Sequence, residues 1–185
     1  VEPLLTACWN QNCYYNAMCP QDDRGRCGHC VTGCVATAMV QIMHYWGYPE
    51  HGTGSHSYTP SGYPEQSVDF GATTYDWENM PNSLNSSSSS EQIDAVATLM
   101  WHCGVAVNTA YGPGASAAYT YFVSVALFNY FNYSNELYFT KMAYYSNATW
   151  KAMLKDCLDL GRPLYYDASS ELNIGGHAFV CDGYD

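Results

Sequence analysis

The sequence predicts an α+β domain, with helices first, strands last, and a cleft between a helical half and a sheet half. Three observations predict it. Apolar residues recur with helical period from Gly33 to Trp46 and in later segments, between recognisable start and stop signals. Two short β-type runs close the chain, over 162–166 and 177–181. At 185 residues the chain is long enough for one domain with a sizeable core.

Residues 1–31 read as an irregular arm within that single domain. Polar and turn residues dominate there, and five of the nine cysteines crowd into it: Cys8, Cys13, Cys19, Cys27 and Cys30. In an oxidising compartment such cysteines are staples. Four disulfides and one free thiol account for nine, with Cys34 the odd one. Pairing is not legible in sequence, and Cys103, Cys157 and Cys181 read equally as buried thiols. In the first helix, 33–46, Val35, Met39, Ile42 and Trp46 share a face. Thr32 or Gly33 caps its start, and Gly47 with Pro49 stops it. Residues 47–90, rich in Gly, Pro, Ser and Tyr, read as loops. Ser88 with Glu91, or Ser89 with Gln92, forms a capping box. It opens a helix with Ile93, Val96, Met100 and Cys103 inward, ended by Gly104. Another helix spans 116–130. A fourth follows Asn147, with Trp150, Met153, Leu154 and Cys157 inward and a stop at Gly161. The closing strands are joined by a loop holding Ser169, Ser170, Asn173 and a Gly-Gly pair.

Two residues carry the chemistry. Cys34 stands where the first helix begins, and free N–H groups with the helix dipole favour an anion there. Gly33 before it leaves room for a substrate to approach the sulfur. His177 stands at the start of the last strand, where an imidazole reaches a cleft edge. A thiol at a helix start and a histidine on a strand are the minimum parts of a cysteine nucleophile site. The plain alternatives are a buried core thiol and a half-buried histidine.

The run Gly33-Cys34-Val35-Ala36-Thr37-Ala38, continued by Gln41-Ile42-Met43 and Tyr48-Pro49, resembles the nucleophile motif of the streptopain family of secreted bacterial cysteine proteases. Gly175 through Gly183 matches that family's G-G-H-A-F-V-x-D-G, Tyr111-Gly112-Pro113 its Y-G-P, and Pro163 to Tyr166 its P-V-Y-Y strand. The four matches fall in order from Gly33 to Gly183. The resemblance implies a papain-like fold and an endopeptidase without cofactor or metal. In it Cys34 is the nucleophile and His177 the base and then the acid, with the backbone N–H groups of Cys34 and Val35 in the oxyanion hole. It also implies a substrate cleft near Tyr111, Gly112, Ser116 and Gly176, and a taste for a hydrophobic residue two before the cut. It further implies protein or peptide substrates, an inhibitory propeptide, and a place outside the cell, in the periplasm or at the cell surface. There are two departures. Gly28 occupies the position, six before Cys34, where papain-like sites carry a glutamine, and Gln21 is the remaining candidate donor. The family's Asn-Trp-Gly-Trp-Gly stretch, whose asparagine orients the histidine, does not occur before Asp185. The resemblance therefore implies a catalytic domain incomplete at its C-terminus, with that segment supplied downstream or by a second chain.

Competing readings rest on Cys27-Gly28-His29-Cys30, the tetrapeptide of disulfide isomerases. Arg26 and the polar residues before it do not suit a buried strand. Zinc held by Cys27, Cys30, His29 and another arm cysteine lacks a second C-x-x-C. A catalytically inactive binding homologue is the non-enzyme reading, since 16% aromatic residues suit a binding surface as well as a core. A net charge of −11 argues against nucleic acid and anionic membrane as partners. No apolar run approaches the roughly 20 residues that span a bilayer.

Overall fold

The computed structural model describes residues 1–169 and 176–185. Its central element is α1 (Cys34–Trp46), with eight of thirteen residues buried. A helix covered on so much of its surface lies inside a domain. α2 (Ser90–Ala106) packs along it, and the sheet formed by β3 (Leu164–Ser169) and β4 (Gly176–Cys181) covers another side. Met39, Val40 and Met43 of α1 meet Val96, Leu99, Met100 and Cys103 of α2 in one core, which also takes in Ala178 of β4. The helical half and the sheet half thus meet on α1. The α+β architecture expected from the sequence is the one observed.

Local signals explain most boundaries. α1 ends at Gly47, whose left-handed φ of 55° suits glycine and whose N–H reaches the Met43 and His44 carbonyls. α2 opens with a complete capping box: the Ser89 hydroxyl accepts from the Gln92 N–H, and the Gln92 side chain accepts from the Ser89 N–H. Of the two boxes the sequence allows, Ser89 with Gln92 forms. α2 continues through Gly104 to Ala106 rather than stopping there. Gly104 is small for a packing reason, because a Cβ at that position would collide with the Tyr111 hydroxyl. α4 (Asn147–Asp159) is capped by Ser146. It buries Trp150 and Leu158, while Met153, Leu154 and Cys157 are half-buried. β3 and β4 run antiparallel with Ala168 opposite His177 and Asp167 opposite Ala178. Asp167 therefore lies on the strand face away from His177. Ser170, Asn173 and Gly175 lie outside the described residues.

Three further expectations are corrected. Residues 47–90 are not all loop: β1 (Ser55–Tyr58) and β2 (Gln66–Asp69) pair antiparallel. Gln66 and Val68 point inward, and the buried Gln66 is satisfied by the Trp101 indole N–H at 2.9 Å. The helix expected from 116 begins at α3 (Phe122–Phe131). Tertiary bonds hold the preceding segment: the Ser116 hydroxyl donates to Val31 O at 2.7 Å, and Ala117 pairs with Ala110. Among the described residues there is one disulfide, Cys13–Cys27, not four. Cys19, Cys30 and Cys103 are buried thiols that pack as apolar groups. The arm is held besides by Asn16, fully buried, whose amide donates to the carbonyls of Arg26 at 3.0 Å, Cys30 at 3.2 Å and His29 at 3.4 Å.

His102 of α2 is a core histidine. Its ring lies among Phe70, Tyr75 and Trp101, with Nδ1 bonded to the Tyr75 hydroxyl at 3.0 Å. Burial pulls its pKa down from 6.5 to about 4. The unfolded chain therefore binds this proton more readily than the folded one. Stability should fall as pH drops from 6.5 toward 4, by up to about 3 kcal/mol from this group. Urea unfolding at pH 7 and pH 4.5 checks it, and His102→Gln should flatten that part of the pH dependence.

Candidate active site

Cys34 is the first residue of α1, and Gly33 is its N-cap at φ 87°, ψ 147°. That conformation excludes ordinary side chains. A Cβ on Gly33 would also meet Ser116 O at 3.1 Å and Ser116 Cβ at 3.2 Å. No side chain caps this end. Thr32 turns instead to Thr37, hydroxyl to hydroxyl at 2.9 Å, and the Thr37 hydroxyl donates back to Gly33 O at 2.9 Å. These bonds hold the turn that presents the thiol. The first-turn N–H groups, those of Cys34 and Val35 included, have no partner within the helix and remain free for an anion.

Cys34 and His177 line the same cavity, about 380 Å³ in volume, at the seam of helix and sheet. Cys34 is half-buried and His177 is exposed on β4. Ala178 behind it is core, which fixes the strand against α1. Phe179 stacks on the His177 ring with centroids 6.4 Å apart. Tyr165 of β3 packs on the core cluster that Cys34 also touches, and burial pushes its phenol up, so it stays a neutral hydroxyl.

A further part of the lining comes from the arm. Trp9, Asn10, Gln11 and Asn12 line the cavity. Trp9 is buried; its indole N–H donates to Pro81 O at 2.8 Å and its ring lies 4.5 Å from that of His44. The Gln11 carbonyl accepts from the Thr32 N–H at 3.1 Å, two residues before the nucleophile. Gln11 is therefore held beside the helix start. Gln21, exposed and bridged to His29, and Gly28, at φ 77° in a turn, do not line the cavity. A search at fixed spacing before the cysteine misses Gln11. The available signal was Trp9-Asn10-Gln11, a large apolar residue among polar ones in an arm otherwise poor in core residues.

Of the Tyr111–Ser116 turn, Gly114 faces the cavity. Tyr111 is buried beneath with Cys19 and Cys30. Ser116 is buried too, accepting from the Gly112 N–H at 3.0 Å while donating to Val31. This turn braces the floor under Gly33. Gly176 opens β4 opposite Ser169. Among the described residues, no group of three His, Cys, Asp or Glu is placed to hold a metal ion. Cys27 is joined to Cys13 and Cys30 is fully buried, so Cys27-Gly28-His29-Cys30 is neither a free dithiol nor a zinc half-site.

The α+β fold, with a thiol at a helix start and an imidazole on the sheet opening into one cavity, has the layout of a papain-like cysteine peptidase domain. Residues 9–185 match the Peptidase C10 family, and the chain belongs to it. It is similar to the thiol protease/hemagglutinin PrtT of Porphyromonas gingivalis, 34% identical over all of this chain and 21% of that protein. It is also similar to streptopain of Streptococcus pyogenes, 32% identical over 96% of this chain and 48% of that protein. Among solved structures, the active wild-type interpain A cysteine protease of Prevotella intermedia superposes with a TM-score of 0.90 at 38% identity. That match covers all of this chain and 77% of the other. A fragment of its precursor, prointerpain A, gives 0.88 at 39% identity over all of this chain and 58% of that one. The chain thus spans at most about half the length of these two curated relatives.

Proposed function

We propose that this protein is a cysteine endopeptidase acting on protein or peptide substrates. The observation that carries the reading is that Cys34, at the start of a buried helix, and His177, on a strand, open into one cavity. His177 takes the thiol proton as Cys34 Sγ attacks a peptide carbonyl carbon. The oxyanion is held by the N–H groups of Cys34 and Val35 and by the Gln11 amide. The imidazolium then protonates the leaving amine. Water, deprotonated by His177, cleaves the thioester and returns carboxylate and thiol. Val31, Ala38 and Phe179 supply an apolar wall for a hydrophobic substrate side chain.

Bacterial export, an inhibitory propeptide and an orienting asparagine from a downstream segment or second chain complete the reading. The arm's disulfide and the likeness to a solved precursor support the first two. The reading of the protein as an inactive binding homologue is separated from it by hydrolysis of casein or a fluorogenic peptide.

Gln11 carries the most specific part of the proposal. Gln11→Ala should lower kcat by about 10²–10³, the loss typical of one oxyanion donor, with the melting temperature nearly unchanged because the side chain is half-exposed. Fluorogenic-peptide turnover measures it. Unchanged kcat would remove Gln11 from the oxyanion site.

A further inference from the structure

The catalytic strand does not end its work at His177. Beyond β4 the chain continues through Asp182, Gly183 and Tyr184, and residues 1–5 lie along it. The Leu4 N–H donates to Asp182 O at 2.9 Å, the Leu5 N–H to Asp182 Oδ2 at 3.1 Å, and the Tyr184 N–H to Val1 O at 3.0 Å. Gly183 is the point of closest approach. A Cβ there would meet Val1 O at 2.8 Å, Pro3 N at 3.1 Å and Glu2 C at 3.2 Å. These are backbone atoms, so any larger residue pushes the arm away. The tail is pinned from its other side by α4, where the Tyr184 hydroxyl donates to Asp159 Oδ1 at 2.6 Å and Lys155 Nζ lies 4.2 Å from the ring centroid.

From this contact the arm runs without an element of regular structure to Trp9–Asn12, which line the same cavity as His177. It is tied on the way by the Cys8 N–H to Asn82 O at 2.8 Å, and at its far end by the Thr32 N–H to Gln11 O. The strand that carries the base and the arm that carries the proposed oxyanion donor are thus fastened together at Asp182 and Gly183.

We infer that Asp182 and Gly183 form a clasp with residues 1–5 and are positioning residues, which set the Gln11 wall against the Cys34–His177 pair. The inference rests on the peptidase reading above. A shift of about an ångström at an oxyanion donor is enough to cost up to about a hundredfold in rate. The clasp residues touch no reacting atom; their effect is assigned to Gln11, and a double-substitution cycle separates that from an effect carried along β4 to His177.

The test is that cycle on the protein together with the downstream segment or second chain, read as kcat and KM below the melting temperature. Gly183→Ala and Asp182→Ala should each lower kcat about tenfold or more, with KM changed less than threefold. Asp182→Asn, which keeps an oxygen to accept from Leu5, should recover most of the loss. In a Gln11→Ala background either alanine substitution should cost less than a further threefold, because the donor it misplaces is already gone. Equal losses with and without Gln11, or unchanged kcat in both single variants, would overturn the inference. Should Gly183→Ala fail to fold, the Asp182 pair decides alone. An unsubstituted protein that hydrolyses nothing even when the downstream segment or second chain is present would instead overturn the peptidase reading, and shows itself before any substitution is made.

Discussion

Cys34→Ala should abolish peptide hydrolysis, by a factor on the order of 10⁴ or more. The sulfur is the proposed nucleophile, and among the described residues no other thiol lines the cavity: Cys8 is exposed, Cys19, Cys30 and Cys103 are buried, Cys157 and Cys181 are half-buried, and none is in its walls. The fold should survive. Cys34 is half-buried at a helix start, alanine is a good helix former, and the cap geometry at Gly33 is untouched. Turnover of casein or a fluorogenic peptide, set beside circular dichroism and a melting curve, reads both expectations. Hydrolysis retained in a well-folded variant would contradict the assignment.

His177→Ala should be nearly as damaging. Without the imidazole the thiol has no base and the leaving amine no acid. The side chain is exposed, and the core contact of this strand belongs to Ala178, so the melting temperature should move little. The decisive feature is non-additivity. Residues acting as one unit are lost together, so Cys34→Ala with His177→Ala should be no worse than Cys34→Ala alone. A double variant that loses the product of the two single factors would mean that the residues work independently.

Local signals in the sequence carry much of this fold. Helical period and a glycine stop define α1, a reciprocal Ser89–Gln92 pair opens α2, and Trp150 with Gly161 frames α4. The placement of Cys34 at a helix start and of His177 near a strand start was legible because element boundaries carry local start and stop signals. What escaped is set through space. β2 hides its alternation because an inward position is Gln66, satisfied only by Trp101 on another element. The start of α3 waits on Ser116, whose hydroxyl is tied to Val31. Cysteine arithmetic overcounted the disulfides because burial makes Cys19, Cys30 and Cys103 into core residues. Gln11, the proposed oxyanion donor, precedes Cys34 by too many residues for a spacing rule. It lines the cavity because Trp9 and the Thr32 N–H anchor the arm there.

The most direct measurement of the central claim is the site of covalent capture by a peptidyl epoxide, which needs both a recognised peptide and an activated thiol. The folded protein is treated with a small excess, digested, and mapped by mass spectrometry. One adduct is expected, on Cys34, and it should disappear in His177→Ala although Cys34 remains. An adduct spread over Cys8 and other thiols, or one on Cys34 that forms equally without His177, would contradict a cysteine–histidine peptidase site.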